Sequence, residues 1–124
     1  EVKEQIWQDN GGMYSTVGSI NGMPVTFLVD TGASLIAMNS SQAKRLGIDY
    51  RLTGKPSWVT TASGRENAFH IMLDVVKVGD IQLRNVAATV LAGAVPSRTL
   101  LGMSFLGRLK MENSGAAMVL KQVK

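Results

Sequence analysis

The stretch Phe27-Leu28-Val29-Asp30-Thr31-Gly32-Ala33-Ser34 places a carboxylate at the end of an apolar strand and follows it at once with a hydroxyl and a glycine. Burying an unpaired charge there is costly, so a specific use for Asp30 is expected. An ordinary turn is the alternative, in which Asp30 bonds nearby backbone amides and Gly32 supplies an unusual φ angle. Both interpretations fit the triplet taken alone.

Strand-like segments separated by turn signals lie on both sides of this stretch. Asn21-Gly22 favours a tight hairpin between residues 13–20 and 24–29. The polar turn Ala62-Ser63-Gly64-Arg65 separates two β-prone arms, 56–61 and 66–71. A third hairpin turns at Gly79-Asp80, between 72–78 and 81–91, and a loop is predicted over 92–98.

Helical signals are few. Asn39-Ser40-Ser41 are candidate caps for one brief helix that ends at Gly47, and residues 103–106 could form a helical turn. The last strands are predicted at 109–112 and 116–121. Many short strands with so little helix favour an all-β fold, a closed or partly closed β-barrel with one or two short helices. We expect a single domain over residues 1–124, in which 1–12 form a flexible or interface-forming segment.

The composition excludes several classes of protein. Apolar residues make up 45% of the chain and charged residues 18%, as in a globular domain. Cysteine is absent and His70 is the only histidine, so neither a thiol nucleophile nor a typical zinc site is expected. The net charge of +4 comes from scattered basic residues, which does not indicate a nucleic-acid partner.

Three ordered motifs resemble those of the retropepsin-like aspartic proteases, over roughly residues 13–120. The first is Asp30-Thr31-Gly32 after its apolar strand. The second, Trp58-Val59-Thr60-Thr61-Ala62-Ser63-Gly64, resembles the flap that covers the substrate, and the third is Leu100-Leu101-Gly102-Met103-Ser104-Phe105-Leu106. The residues of these motifs are most similar to those of a bacterial subfamily that is usually membrane-anchored and faces the periplasm. The resemblance therefore implies a retropepsin-like barrel and a periplasmic location, with a tether upstream of the sequence given.

Each motif implies roles for its residues. Asp30 would be the catalytic carboxylate, Thr31 the hydroxyl that braces paired loops, and Gly32 a point of close backbone approach. Substrate would contact Ala33 and Ser34 in the same loop, and Thr61, Ala62, Ser63 and Gly64 at the flap. Leu101 and Gly102 would pack behind the active loop. Retroviral members carry an acidic residue at the position of Ser34 and an arginine at that of Met103, so their interface ion pair cannot form here.

The implied chemistry requires two carboxyl groups, one to activate water and one to protonate the leaving amide. The chain contains a single Asp-Thr-Gly triplet, and a twofold axis is the simplest source of a second copy. We therefore predict a homodimer that hydrolyses peptide bonds and needs no cofactor or metal. Asp74, which lacks an adjacent Thr-Gly, is expected at an edge or facing solvent, and His70 is expected to be structural or solvent-facing. The alternative function is a catalytically inactive peptide-binding or dimerisation module.

Overall fold

A computed structural model describes residues 1–123. This part of the chain contains ten strands and three short helices. The strands are β1 Val2–Trp7, β2 Ser15–Ile20, β3 Met23–Val29, β4 Ile36–Asn39, β5 Lys55–Thr61, β6 Gly64–Val78, β7 Ile81–Leu91, β8 Thr99–Leu101, β9 Lys110–Ser114 and β10 Ala117–Gln122. The helices are α1 Ser40–Arg45, α2 Tyr50–Thr53 and α3 Met103–Leu106.

The main sheet closes on itself. Its order is β2-β3-β8-β4-β7-β6-β5, and an additional pairing of β2 with β6 joins the ends of a six-stranded ring, to which β5 is attached through β6. The pairs β3–β8 and β4–β7 are parallel, and the other pairs are antiparallel. Closure leaves few free strand edges, which favours a stable all-β domain. The predicted all-β, retropepsin-like barrel with short helices is confirmed.

Local turn chemistry accounts for the hairpins. Asn21 and Gly22 have φ angles of 49° and 85°, as a tight hairpin turn requires. The side-chain oxygen of Asn21 also accepts a hydrogen bond of 3.0 Å from the backbone amide of Val75, which ties this turn to β6. Gly79, with φ of 59°, turns β6 into β7. The three predicted hairpins are therefore present.

The barrel encloses one core, built from side chains that alternate inward along the strands. Its largest fully buried members include Phe27, Phe105, Ile36, Leu73 and Leu101. Phe27 and Leu101 belong to the paired strands β3 and β8, and Phe105 comes from α3 directly after β8. The segments on either side of the Asp-Thr-Gly triplet are thus anchored in the core.

A second sheet of three strands, in the order β1-β10-β9, packs beside the barrel. No strand was predicted before residue 13, yet β1 pairs with β10 along its whole length. Ile6 is 2% exposed, and the carboxylate of Glu4 accepts a hydrogen bond of 3.1 Å from the amide of Asp80. These contacts hold β1 against the β6–β7 turn.

The helices sit outside the ring. Asn39 begins α1 with a capping box, in which its side chain accepts from the amide of Gln42 and the Gln42 side chain accepts from the Asn39 amide. Helix α2 was not predicted, and the ring of Tyr50 packs on that of Phe69 with centroids 5.1 Å apart. Among the helices of residues 1–123, none has the length and apolar character needed to cross a bilayer.

Candidate active site

The Asp-Thr-Gly loop begins where β3 ends. The amide of Asp30 donates to the carbonyl of Leu101 at 3.1 Å, so the loop starts hydrogen-bonded to the end of β8. The carboxylate of Asp30 accepts from the amide of Gly32 at 2.9 Å, and its carbonyl accepts from Ala33 at 3.2 Å. Asp30 is half-buried, while Thr31, Gly32 and Ser34 are exposed. The loop therefore presents a fixed carboxylate at an open surface.

The turn alternative holds in one part only, because the Asp30 carboxylate accepts from the Gly32 amide but the φ of Gly32 is outside the left-handed region. A Cβ on Gly32 would instead lie 3.2 Å from a carboxylate oxygen of Asp30. This distance is tighter than ordinary packing, so a side chain here would press on the carboxylate. The closeness of the Asp30 carboxylate is therefore one reason that glycine suits this position, and its role in backbone approach stays a prediction.

The late motif packs directly behind the loop. A Cβ on Gly102 would overlap the carbonyl oxygen of Leu35 and lie 2.7 Å from that of Ala33. The next amide, that of Met103, donates to the Ala33 carbonyl at 2.8 Å. Gly102 thus allows the two chain segments to touch through their backbones, and the hydrogen bond from Met103 fixes their separation.

Ser104 is a positioning residue that the sequence analysis did not single out. Its hydroxyl accepts from the amide of Ile36 at 3.0 Å and donates to the carbonyl of Ala87 at 2.7 Å. The far end of the active loop is thereby tied to β7. The only sequence signal for this role was a serine directly after Gly102-Met103. Its two hydrogen-bond partners, Ile36 and Ala87, are too distant in sequence to be inferred from it.

The positions that carry opposite charges in retroviral relatives do not interact through charge here. Ser34 is exposed, and Met103 is half-buried and packs against the hydrophobic core. Met103 therefore contributes apolar packing behind the loop, in addition to its backbone bond to Ala33.

Strands β5 and β6 form the predicted flap. Their pairing runs to Thr61 opposite Gly64, with Ala62 and Ser63 at an exposed tip. The Thr61 hydroxyl donates to the carbonyl of Gly64 at 2.9 Å and accepts from the Ser63 amide at 3.3 Å, which shapes the turn. The pairing of β6 with β7 ends at Ala68, which lies opposite Leu91. Between Ala68 and the tip of the flap, β6 pairs only with β5. This part of the hairpin therefore projects from the sheet.

The loop 92–98 lies at the base of the flap and is held by α1. Asn39, 8% exposed, donates to the carbonyls of Pro96 at 2.9 Å and Ala94 at 3.4 Å. The Gln42 side chain donates to the Ser97 carbonyl at 3.0 Å. The amide of Ala92 donates to Asn67 on β6 at 2.9 Å. Sequence reasoning found Asn39 only as a cap, because nothing local indicates partners this far along the chain.

The rival groups lie elsewhere. Asp74 and His70 are exposed residues of β6, a strand that pairs with β2, β5 and β7 but with none of the strands flanking the Asp30 loop. Within residues 1–123, no group of three or more His, Cys, Asp or Glu side chains is placed to hold a metal ion. A groove of about 540 Å³ between α1 and α2 contains Lys44 and Arg51 but none of the predicted site residues.

Barrel, flap and Asp-Thr-Gly loop together define a protein of the aspartic-protease class, built as a single lobe. A family model described as "gag-polyprotein putative aspartyl protease" matches residues 16–108. The chain belongs to this retropepsin-like aspartic protease family.

Similar proteins of known structure support the same family. A retropepsin-like aspartic protease from Rickettsia conorii superposes with a TM-score of 0.84 and 30% identity, covering 97% of this chain and 99% of that one. The retroviral protease-like domain of Ddi1 from Leishmania major gives a TM-score of 0.60 at 26% identity, covering 83% and 82%. An EIAV protease bound to the inhibitor HBY-793, 23% identical with a TM-score of 0.58 over 75% and 84%, shares the fold.

Two bacterial relatives are similar in sequence, and both are of uncharacterised function. A protein encoded 5′ of cobV in a Sinorhizobium species is 40% identical over 81% of this chain and 43% of its own length. A Rickettsia prowazekii protein is 35% identical over 89% of this chain and 47% of its own length. The chain thus spans less than half of the curated relatives it matches.

Proposed function

We propose that this chain is one protomer of an aspartic endopeptidase whose active site forms when Asp30 meets its copy across a twofold axis. The observation that carries the proposal is the braced Asp30 loop. It presents a carboxylate held by the Gly32 amide at 2.9 Å, in a family fold of aspartic proteases. The neighbouring strands of the same chain supply no second Asp-Thr-Gly loop. A second protomer of the same sequence supplies that loop.

The chemistry follows from placing two such carboxyl groups together. Carboxylates about 3 Å apart cannot both stay ionised, so the pair shares one proton. The ionised carboxylate takes a proton from a water molecule as the water oxygen attacks the peptide carbonyl carbon. The protonated carboxyl first stabilises the developing oxyanion by hydrogen bonding. The same carboxyl then donates its proton to the leaving nitrogen as the C–N bond breaks, giving a new acid and a new amine and leaving one proton on the pair.

The other residues of the loop and the flap assist this reaction. In the proposed dimer, the exposed Thr31 braces the partner loop, and the Gly32 amide holds the Asp30 carboxylate. Ala33 and Ser34 extend the loop towards the substrate. Thr61, Ala62, Ser63 and Gly64 cover the substrate and exclude water when the flap closes.

Replacing Asp30 by Asn tests the assignment, since it removes the acid and base functions with little change in volume. We expect cleavage of a denatured protein library at mildly acidic pH to fall by at least ~10²-fold, while the urea midpoint changes little. Asp74→Asn is the matched control, because Asp74 is an exposed carboxylate outside the loop, and it should cleave like the wild type. A statine-type inhibitor should block the wild type. Equal cleavage by wild type and Asp30→Asn would reject the assignment.

A catalytically inactive peptide-binding or dimerisation module is the second candidate. Ser34 and Met103 favour it, because they replace the charged residues that join the protomers of retroviral members. Sedimentation establishes whether the dimer forms, and the cleavage and peptide-binding assays then distinguish the two functions. A chain that forms dimers and binds peptides but cleaves none of the library supports the binding module.

We also propose that a segment upstream of residue 1 tethers the protein to the inner membrane, with this domain in the periplasm. The resemblance to a membrane-anchored subfamily supports the proposal. Protease accessibility of the native protein in intact spheroplasts is the test. Protection until the inner membrane is lysed would contradict a periplasmic location.

A further inference from the structure

Glu66 lies on the covered face of the flap. Val59 is opposite Glu66 and Trp58 is opposite Asn67, so the alternation of side chains puts Val59 and Glu66 on one face and Trp58 and Asn67 on the other. Val59 and Glu66 are half-buried, whereas Trp58 is 54% exposed and Asn67 is exposed. Because this arm of the hairpin projects from the sheet, its half-buried face is the one turned towards the body of the protein.

The carboxylate of Glu66 points at the loop 92–98. One of its oxygens lies 2.7 Å from the place that a Cβ on Gly93 would occupy, so it rests against the bare backbone of that glycine. Asn39 fixes this loop, which leads into β8. The carbonyl of Leu101, the last residue of β8, accepts a hydrogen bond from the amide of Asp30. Glu66 therefore occupies the space between the flap and a loop that is continuous with the candidate active site.

No cation neutralises this carboxylate within residues 1–123. Neither of the ion pairs found there involves Glu66, and no hydrogen bond to its side chain is present. The nearest basic residue in sequence, Arg65, is on the opposite face, where its guanidinium stacks on the ring of Trp58 at 3.7 Å. The inner carboxylate therefore depends on water for its solvation.

We propose that Glu66 forms an acidic subsite beneath the flap that selects peptides carrying a Lys or Arg side chain, a specificity that rests on the proposed peptidase function. When the flap closes over a peptide, water is expelled from the Glu66 carboxylate. An unpaired carboxylate is then costly to desolvate, whereas a Lys or Arg side chain supplies the missing cation on a long, flexible stem. A glutamate in the substrate would add repulsion. A peptide without a basic side chain at this position leaves the Glu66 carboxylate desolvated and unpaired, so the subsite disfavours it.

The test compares wild type, Glu66→Gln and the double variant Glu66→Gln/Asn67→Asp. The double variant keeps the net charge but moves the carboxylate to the outer face of the same strand, which makes it the matched control for general electrostatic attraction. Cleavage sites in a peptide library are mapped by mass spectrometry. We expect the wild type to prefer Lys or Arg over Gln at one subsite by about tenfold, less at high salt, and both variants to lose that preference.

Binding of Lys- and Gln-containing peptide pairs to Asp30→Asn, with and without Glu66→Gln, separates specificity from catalysis. Cleavage without a basic preference, or with one that Glu66→Gln retains, overturns the subsite and leaves the peptidase standing. A preference kept by the double variant also overturns it, because long-range charge would suffice. Absence of cleavage together with Glu66-dependent binding of Lys peptides overturns the peptidase and supports the subsite. If the protein neither cleaves nor binds these peptides, both the peptidase and the subsite are overturned.

Discussion

Gly102 shows how a single missing side chain supports the site. Its backbone touches the carbonyls of Ala33 and Leu35, and those oxygens belong to the loop that holds Asp30. A methyl group here meets backbone on both sides and has no flexible neighbour to displace. Either the late segment or the Asp30 loop must therefore shift, so a substitution at Gly102 reaches the carboxylate without touching it.

Replacing Gly102 by Ala should lower the free energy of unfolding by about 1–3 kcal/mol, the usual range for overpacking a closely packed site. Gly11→Ala is the control, because its Cβ would make an ordinary 3.4 Å contact with Asp9 and its φ is not positive. The control should stay within ~0.5 kcal/mol of the wild type. Urea denaturation measures both variants. Equal midpoints for the two would show that the contact relaxes freely.

At the scale of elements, local chemistry explains which ones could be predicted from sequence. Asn21-Gly22 and the Asn39 cap act through residues within one turn, so the hairpin and α1 follow from short patterns. Strand β1 could not be predicted, because its hydrogen bonds go to β10 at the other end of the chain. Helix α2 has no side-chain cap at Asp49 and packs on Phe69 instead.

Asn39 joins two elements, and its two roles can be separated. Asn39→Asp keeps an oxygen that can accept from the Gln42 amide and so preserves the cap of α1. It removes the donor to the Pro96 and Ala94 carbonyls and places negative charge beside them. We expect faster hydrogen exchange at the Ala92 amide, which is hydrogen-bonded where the loop begins, and a decrease of about 1–3 kcal/mol in the free energy of unfolding.

Ser41→Ala, at an exposed position in the first turn of α1, is the control for Asn39→Asp and should exchange like the wild type. Loop protection that is unchanged in Asn39→Asp would mean that the loop is held without the Asn39 amide. The loop would then depend on its other hydrogen bonds, from the Gln42 side chain to Ser97 and from the Ala92 amide to Asn67.

At the scale of the molecule, the sequence predicts the parts of the site better than their arrangement. The Asp30 triplet, the flap and the late glycine are each contiguous, so each could be recognised as a motif. The side of the flap that Glu66 occupies, and the anchoring of loop 92–98, depend on strand register and on contacts across the fold. The second carboxylate is not encoded separately, because symmetry would provide it.

Subunit mixing tests that symmetry directly. Wild type and isotope-labelled Asp30→Asn are combined in equal amounts at fixed total concentration and allowed to exchange. The label separates the protomers in mass, so native mass spectrometry can count each kind of dimer. Random pairing leaves about one quarter of the dimers with two wild-type loops, and since a dyad needs both, activity should fall to about one quarter. Protomers that act alone would retain about half. Mixing with Asp74→Asn should leave activity unchanged, which controls for dilution and handling. Activity near one half, with mixed dimers plainly present, would refute catalysis by paired Asp30 residues.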